Sequence, residues 1–79
     1  MAETVTKEIA MAAKHGDIFH HKTLKQGPKN AREPLRVRVS GKCQTWKRTP
    51  NHFRLPVKWG FYQSWAIDHN NCREWETAT

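Results

Sequence analysis

Leu35-Arg36-Val37-Arg38-Val39 and Phe53-Arg54-Leu55-Pro56-Val57-Lys58-Trp59 are the two runs that decide the fold of this chain. In both, the odd positions are apolar and most even positions are polar, the period of a strand with one dry face and one wet face. Two such strands make an apolar surface backed by a cationic one. Between Arg32 and Lys58, eight Lys or Arg residues stand against a single acid, Glu33. The wet face therefore points to an anionic ligand, without naming it.

The alternation extends outward from both runs. Over residues 35–48, Leu35, Val37, Val39, Cys43 and Thr45 fall on one side, and Arg36, Arg38, Lys42, Trp46 and Arg48 on the other. Gly41 interrupts this stretch, as a bulge, a tight turn at Ser40-Gly41, or a close backbone approach. Thr49-Pro50-Asn51-His52 is a second candidate turn, because Pro fixes φ and Asn tolerates unusual backbone angles. Over residues 53–67, Phe53, Leu55, Val57, Trp59, Phe61, Trp65 and Ile67 share one parity. Pro56 cannot donate to a ladder, which assigns its segment to a sheet edge, a strand start or a bulge; Gly60 divides the run in two.

The flanks carry weaker patterns. Residues 4–15 read as a short helix ended by Gly16 if the segment docks, with Val5, Ile9 and Ala12 or Ala13 on one stripe, and as a frayed tail otherwise. From Asp17 to Pro34 no period emerges, and the stretch reads as a mobile basic linker with Ile18, Phe19 and Leu24 as anchor points. Asp68-His69-Asn70-Asn71 reads as a loop capping a final helical turn over residues 72–77, with Cys72 and Trp75 inward. The expected architecture is α+β or mostly β, a small twisted antiparallel sheet of about three strands with a short C-terminal helix. Residues 1–34 form a loosely attached N-terminal segment and residues 35–79 the β-rich domain.

Seventy-nine residues suffice for one domain with a small core. Four Trp, three Phe and one Tyr make the aromatics the expected core, with Trp59, Phe61, Trp65 and Trp75 each able to bury roughly 150–250 Å². The net charge of +7 is concentrated in residues 22–58, which hold eleven basic groups and one acid. Such a field steers the chain towards phosphates or an acidic protein surface. No stretch approaches the roughly 20 apolar residues that span a bilayer, and the start lacks the pattern of a secretory signal, so a cytoplasmic protein without membrane contact is expected. Cys43 and Cys72 are too few for a disulfide framework, and reduced thiols are expected.

The run Trp46-Lys47-Arg48-Thr49-Pro50-Asn51-His52-Phe53-Arg54-Leu55-Pro56-Val57-Lys58-Trp59-Gly60-Phe61-Tyr62, followed by an Asn-containing turn and a Trp-Glu ending at residue 76, resembles a segment of short uncharacterised bacterial and bacteriophage proteins. The resemblance implies a compact accessory protein of phage type. It transfers no activity and no site residue.

Three constellations carry candidate chemistry. Arg36, Arg38, Lys42, Arg48, Arg54 and Lys58 form a basic face able to neutralise several phosphates, and Trp46 and Tyr62, of the same parity, offer rings on which bases stack. The competing reading is a solvated face with Trp46 tucked under the Thr49-Pro50 turn. Cys43, His52, His69 and Cys72 form a zinc-like ligand set, but their spacing lacks paired knuckles and no metal or other cofactor is expected. His20-His21 would point apart in a strand. Asp68, His69 and Cys72 are residue types of a nucleophilic site, yet so small a core rarely builds a water-excluding pocket, and no enzyme is expected. The sequence thus points to a non-enzymatic binding protein that contacts nucleic acid through a basic β-face, or alternatively to an accessory protein docking on an acidic surface of a partner.

Overall fold

The computed structural model describes residues 2–27, 32–60 and 63–78. The chain runs through helix α1 (Lys7–Ala12), strands β1 (Ile18–Lys25), β2 (Pro34–Val39), β3 (Gln44–Thr45), β4 (Phe53–Trp59) and β5 (Gln63–Asp68), a 3-10 turn (Cys72–Glu74) and strand β6 (Trp75–Thr77). All six strands belong to one antiparallel sheet. The protein is mostly β, and the expected three-stranded sheet with a C-terminal helix is overturned. The final segment is a single 3-10 turn followed by a strand, because residues 75–77 find a ladder partner in β1 (His21↔Trp75, Phe19↔Thr77). A segment this short is marginal as a helix on its own, so a waiting strand edge decides its conformation.

β4 pairs with three other strands. On one side it pairs with β5 along its whole length, from Arg54↔Asp68 to Trp59↔Gln63. On the other it meets β2 at Arg38↔Lys58 and Val39↔Val57, and then β3 at Gln44↔Arg54 and Thr45↔Phe53. Pro56 lies at the break between these two partners. Its carbonyl accepts from Ser40 N at 3.0 Å, so the position of its missing N–H also faces the break, where no ladder bond is lost. That is how a proline sits inside a central strand. Gly41 resolves as a close approach and not as a hairpin turn: a Cβ there would stand 3.0 Å from Pro56 Cγ. The reversal is made instead by the Thr49-Pro50-Asn51-His52 turn, closed by His52 N on Thr49 O at 2.9 Å.

The N-terminal segment is part of the fold, which corrects its reading as a loosely attached linker. β1 is the strand between β2 and β6, pairing Ile18↔Arg38, Phe19↔Val37 and His20↔Arg36. Its register then shifts, so that residues 21–24 oppose Leu35 alone before Lys25↔Pro34 resumes the ladder. The buried His21 ring fills this bulge: Nδ1 accepts from Thr23 N at 3.1 Å and Leu24 N at 2.9 Å. An accepting Nδ1 puts the ring proton on Nε2, which faces Glu74 Oε2 at 3.9 Å. The helix is shorter than residues 4–15; Thr6 caps it, and residues 3–5 run extended along β6 with Val5 N on Trp75 O and Thr77 N on Glu3 O.

Val5, Ala10, Phe19, Leu35, Val37, Val39, Phe53, Leu55, Val57, Ile67 and Trp75 are buried. The core is mainly aliphatic, not the expected aromatic one. Trp75 belongs to it, whereas Trp59 is half-buried, with Nε1 donating to Gln26 Oε1 at 3.1 Å, and Trp65 is 38 % exposed. Phe61 lies outside the described residues. The sheet curls so that Trp65 on β5 and Trp75 on β6, at opposite ends of the strand order, come within 6.4 Å between ring centroids. Among the described residues, no helix is long and apolar enough to cross a membrane.

Candidate functional site

Alternation along β2 and β4 sends Val37, Val39, Leu55 and Val57 into the core, and Arg36, Arg38, Arg54 and Lys58 out to solvent. The registers assemble these into rows across the outer face. One row runs Ile18, Arg38, Lys58, Ser64 over β1, β2, β4 and β5; the next runs Glu76, His20, Arg36 over β6, β1 and β2. Arg38 and Lys58 are direct cross-strand neighbours. Arg54 lies four residues from Lys58 along β4, roughly 13 Å at strand rise.

Carboxylates share this face: Glu76 lies in the second row and Asp68 stands opposite Arg54. Arg36 lies 3.9 Å from Glu33, but both side chains are more than half exposed, and such a pair contributes little. Among the described residues, no carboxylate comes within 4.0 Å of Arg38, Arg54 or Lys58. Asp68 stands opposite Arg54 in the ladder, yet its Oδ1 is engaged by Asn70 N at 2.8 Å and Asn71 N at 3.1 Å. One of its two carboxylate oxygens is thus held by the loop.

Arg36, Arg38 and Lys58 line a cleft of about 240 Å³ together with, among the described residues, Ile18, Val37 and Gly60. Gly60 has φ +69°, and, its chain neighbours apart, no described residue places an atom within 4 Å of where a Cβ would be. Ile18 and Gly60 were not among the expected site residues. The available signal was parity: Ile18 and His20 alternate with the apolar Phe19, but the bulge after His20 hides the strand.

The remaining expected residues lie elsewhere. Lys42, in the bend between β2 and β3, lines a second cleft with Met11, Ala13, Lys14 and Cys43 beside α1. Trp46 and Arg48 are exposed beyond the last β3 pair, Thr45↔Phe53, at the opposite end of β4 from the first cleft. Trp46 is 47 % exposed. Tyr62 lies outside the described residues.

The His and Cys side chains do not converge on a common point. His52 and His69 stack face to face, with centroids 3.8 Å apart and planes within 4°. An imidazole lone pair lies in its ring plane, so two parallel planes cannot share one ion. Among the described residues no group of three or more His, Cys, Asp or Glu side chains could hold a metal. His69 Nδ1 is buried without a hydrogen-bond partner among the described residues, while Cys72 Sγ sits 4.0 Å from the His69 carbonyl. Burial pushes the Cys43 thiol above its ordinary range, opposed by a hydrogen bond with the Arg54 backbone and by the charge of Lys7. No family model, curated protein or solved structure matches this chain.

Proposed function

We propose that this chain is a non-enzymatic binding protein that contacts nucleic acid through Arg36, Arg38, Arg54 and Lys58 on the outer face of its sheet. The observation that carries this reading is the direct opposition of Arg38 and Lys58 with, among the described residues, no carboxylate within 4.0 Å of either. Like charges opposite each other in a ladder repel, and a phosphate between them turns that repulsion into two attractions. Trp46 and Arg48 extend the surface past Arg54, and Lys42 lies apart from it beside α1. The resemblance of residues 46–75 to short phage proteins supports a small accessory role, and nucleic acid as partner supports a cytoplasmic one.

The test is the salt dependence of binding to a single strand. With four phosphate contacts, log K falls against log salt with a slope of about −3, taking about 0.7 per contact. Replacing Arg36 and Arg38 together by Gln flattens the slope by up to about 1.4 without unfolding the protein. A wild type that fails to bind at low salt overturns the reading. A single acidic protein partner, retained after nuclease treatment, would then put a protein-docking role in its place.

A further inference from the structure

We infer that the cleft over Ile18 holds one base of a single-stranded nucleic acid whose flanking phosphates meet Arg38 and Lys58, an inference that rests on the nucleic-acid reading above. The cations alone would satisfy any small anion. Ile18 is what distinguishes this site: it is 38 % exposed and stands directly beside Arg38 in the β1–β2 register. A single exposed aliphatic residue is ordinary on a protein surface. This one, however, floors a cleft whose rim carries Arg36, Arg38 and Lys58. Such a site matches a ligand with an apolar face attached to anionic groups, which describes a nucleotide unit.

Size and shape narrow the class further. About 240 Å³ falls below the roughly 300–1,000 Å³ of pockets that enclose a whole small molecule, and it suits one unit of a polymer whose neighbours lie outside. Ile18 and Arg38 are direct neighbours in the β1–β2 register and Arg38 and Lys58 in the β2–β4 register, so a base over Ile18 has its own backbone beside both cations. A base in a duplex is held in its stack and reaches such a floor only after unpairing, at a cost of a few kcal/mol. Single strands are therefore preferred. Thymine suits the floor best, since its methyl group makes apolar contact.

The experiment compares the intact protein's affinity for a short oligothymidylate with that for an abasic strand of the same phosphate number, at one salt concentration. The expected result is an affinity about fivefold higher for the strand with bases, the factor that burial of roughly 40 Å² of apolar surface supplies. The two strands give equal salt slopes. Ile18→Thr keeps a β-branched residue in the strand and removes this preference while leaving abasic binding unchanged. Equal affinity of the wild type for both strands overturns the base-in-cleft inference and leaves the phosphate reading standing, with no variant needed. A preference that survives Ile18→Thr also overturns it. Absence of binding to either strand, with or without binding to vesicles of anionic lipid, overturns both readings.

Discussion

Arg38 and Lys58 face each other directly across the β2–β4 pair, on the exposed side of a sheet whose opposite side is fully buried at Val39 and Val57. Nothing in the fold requires two cations there. The core needs only the alternate positions, and any polar residue would serve at the outer ones. The pair is thus a cost that stability alone does not explain, and it sits at the rim of the cleft.

Removing one member should separate stability from binding. Arg38→Thr is expected to stabilise the free protein by about 0.5 kcal/mol, within the range of cross-strand pair effects, while weakening nucleic-acid binding. Urea denaturation and fluorescence anisotropy on the same sample check both directions. A destabilised Arg38→Thr would show that the two cations do not repel in the folded state.

Trp46 lies at the far end of β4, so its effect should depend on the length of the strand. A strand that covers only the Ile18 cleft is expected to bind Trp46→Ala as it binds the wild type. One long enough to cross the sheet past Arg54 should lose roughly 1–3 kcal/mol, the cost of one base–aromatic stack, with an unchanged salt slope. Equal losses for short and long strands would contradict this arrangement.

The tryptophans should differ sharply in their contribution to stability. Trp75 is 4 % exposed and touches both the His21 ring, at 4.8 Å, and that of Trp65. Trp75→Ala should cost about 3–5 kcal/mol and unfold much of a domain this small. Trp65→Ala leaves a residue that was already part-exposed, and about 1–2 kcal/mol is expected from the smaller area lost. Thermal melts of the two variants give the comparison, and equal losses would contradict the burial pattern.

His21 is expected to be a structural histidine. His21→Phe preserves the ring contact with Trp75 but strips the acceptor from Thr23 N and Leu24 N, leaving two bulge donors unpaired at a cost of about 1–3 kcal/mol. His20→Phe, on the outer face of the same strand, should change stability far less. Hydrogen exchange at Thr23 and Leu24 provides the readout: faster exchange in His21→Phe is expected, and unchanged protection would remove the role assigned to Nδ1.

Much of the central sheet could be read from period alone. The alternation of Leu35, Val37 and Val39 with Arg36 and Arg38, and of Phe53, Leu55 and Val57 with Arg54 and Lys58, sorts core from surface because successive strand residues point to opposite faces. Those positions are buried and exposed as the pattern requires, and four of the expected cations share one face. β1 escaped because its bulge breaks the alternation after His20 and its polar residues resemble a linker. β6 escaped because three residues carry no period, so Cys72 to Thr77 suggested a helical turn instead.

By itself, then, the sequence determined which side chains of β2 and β4 face water, and where the positive charge concentrates. Those are local properties, set by alternation and composition. Tertiary structure alone decided that β1 lies between β2 and β6, that Ile18 joins Arg38 and Lys58 in one row, and that Lys42 and Trp46 fall away from that row. It also left Trp65 part-exposed despite its core parity, because among the described residues β5 has no partner strand beyond it. Each of these depends on which strands pair and in what register, and pairing is settled by contacts between residues far apart in the chain, which no local period encodes.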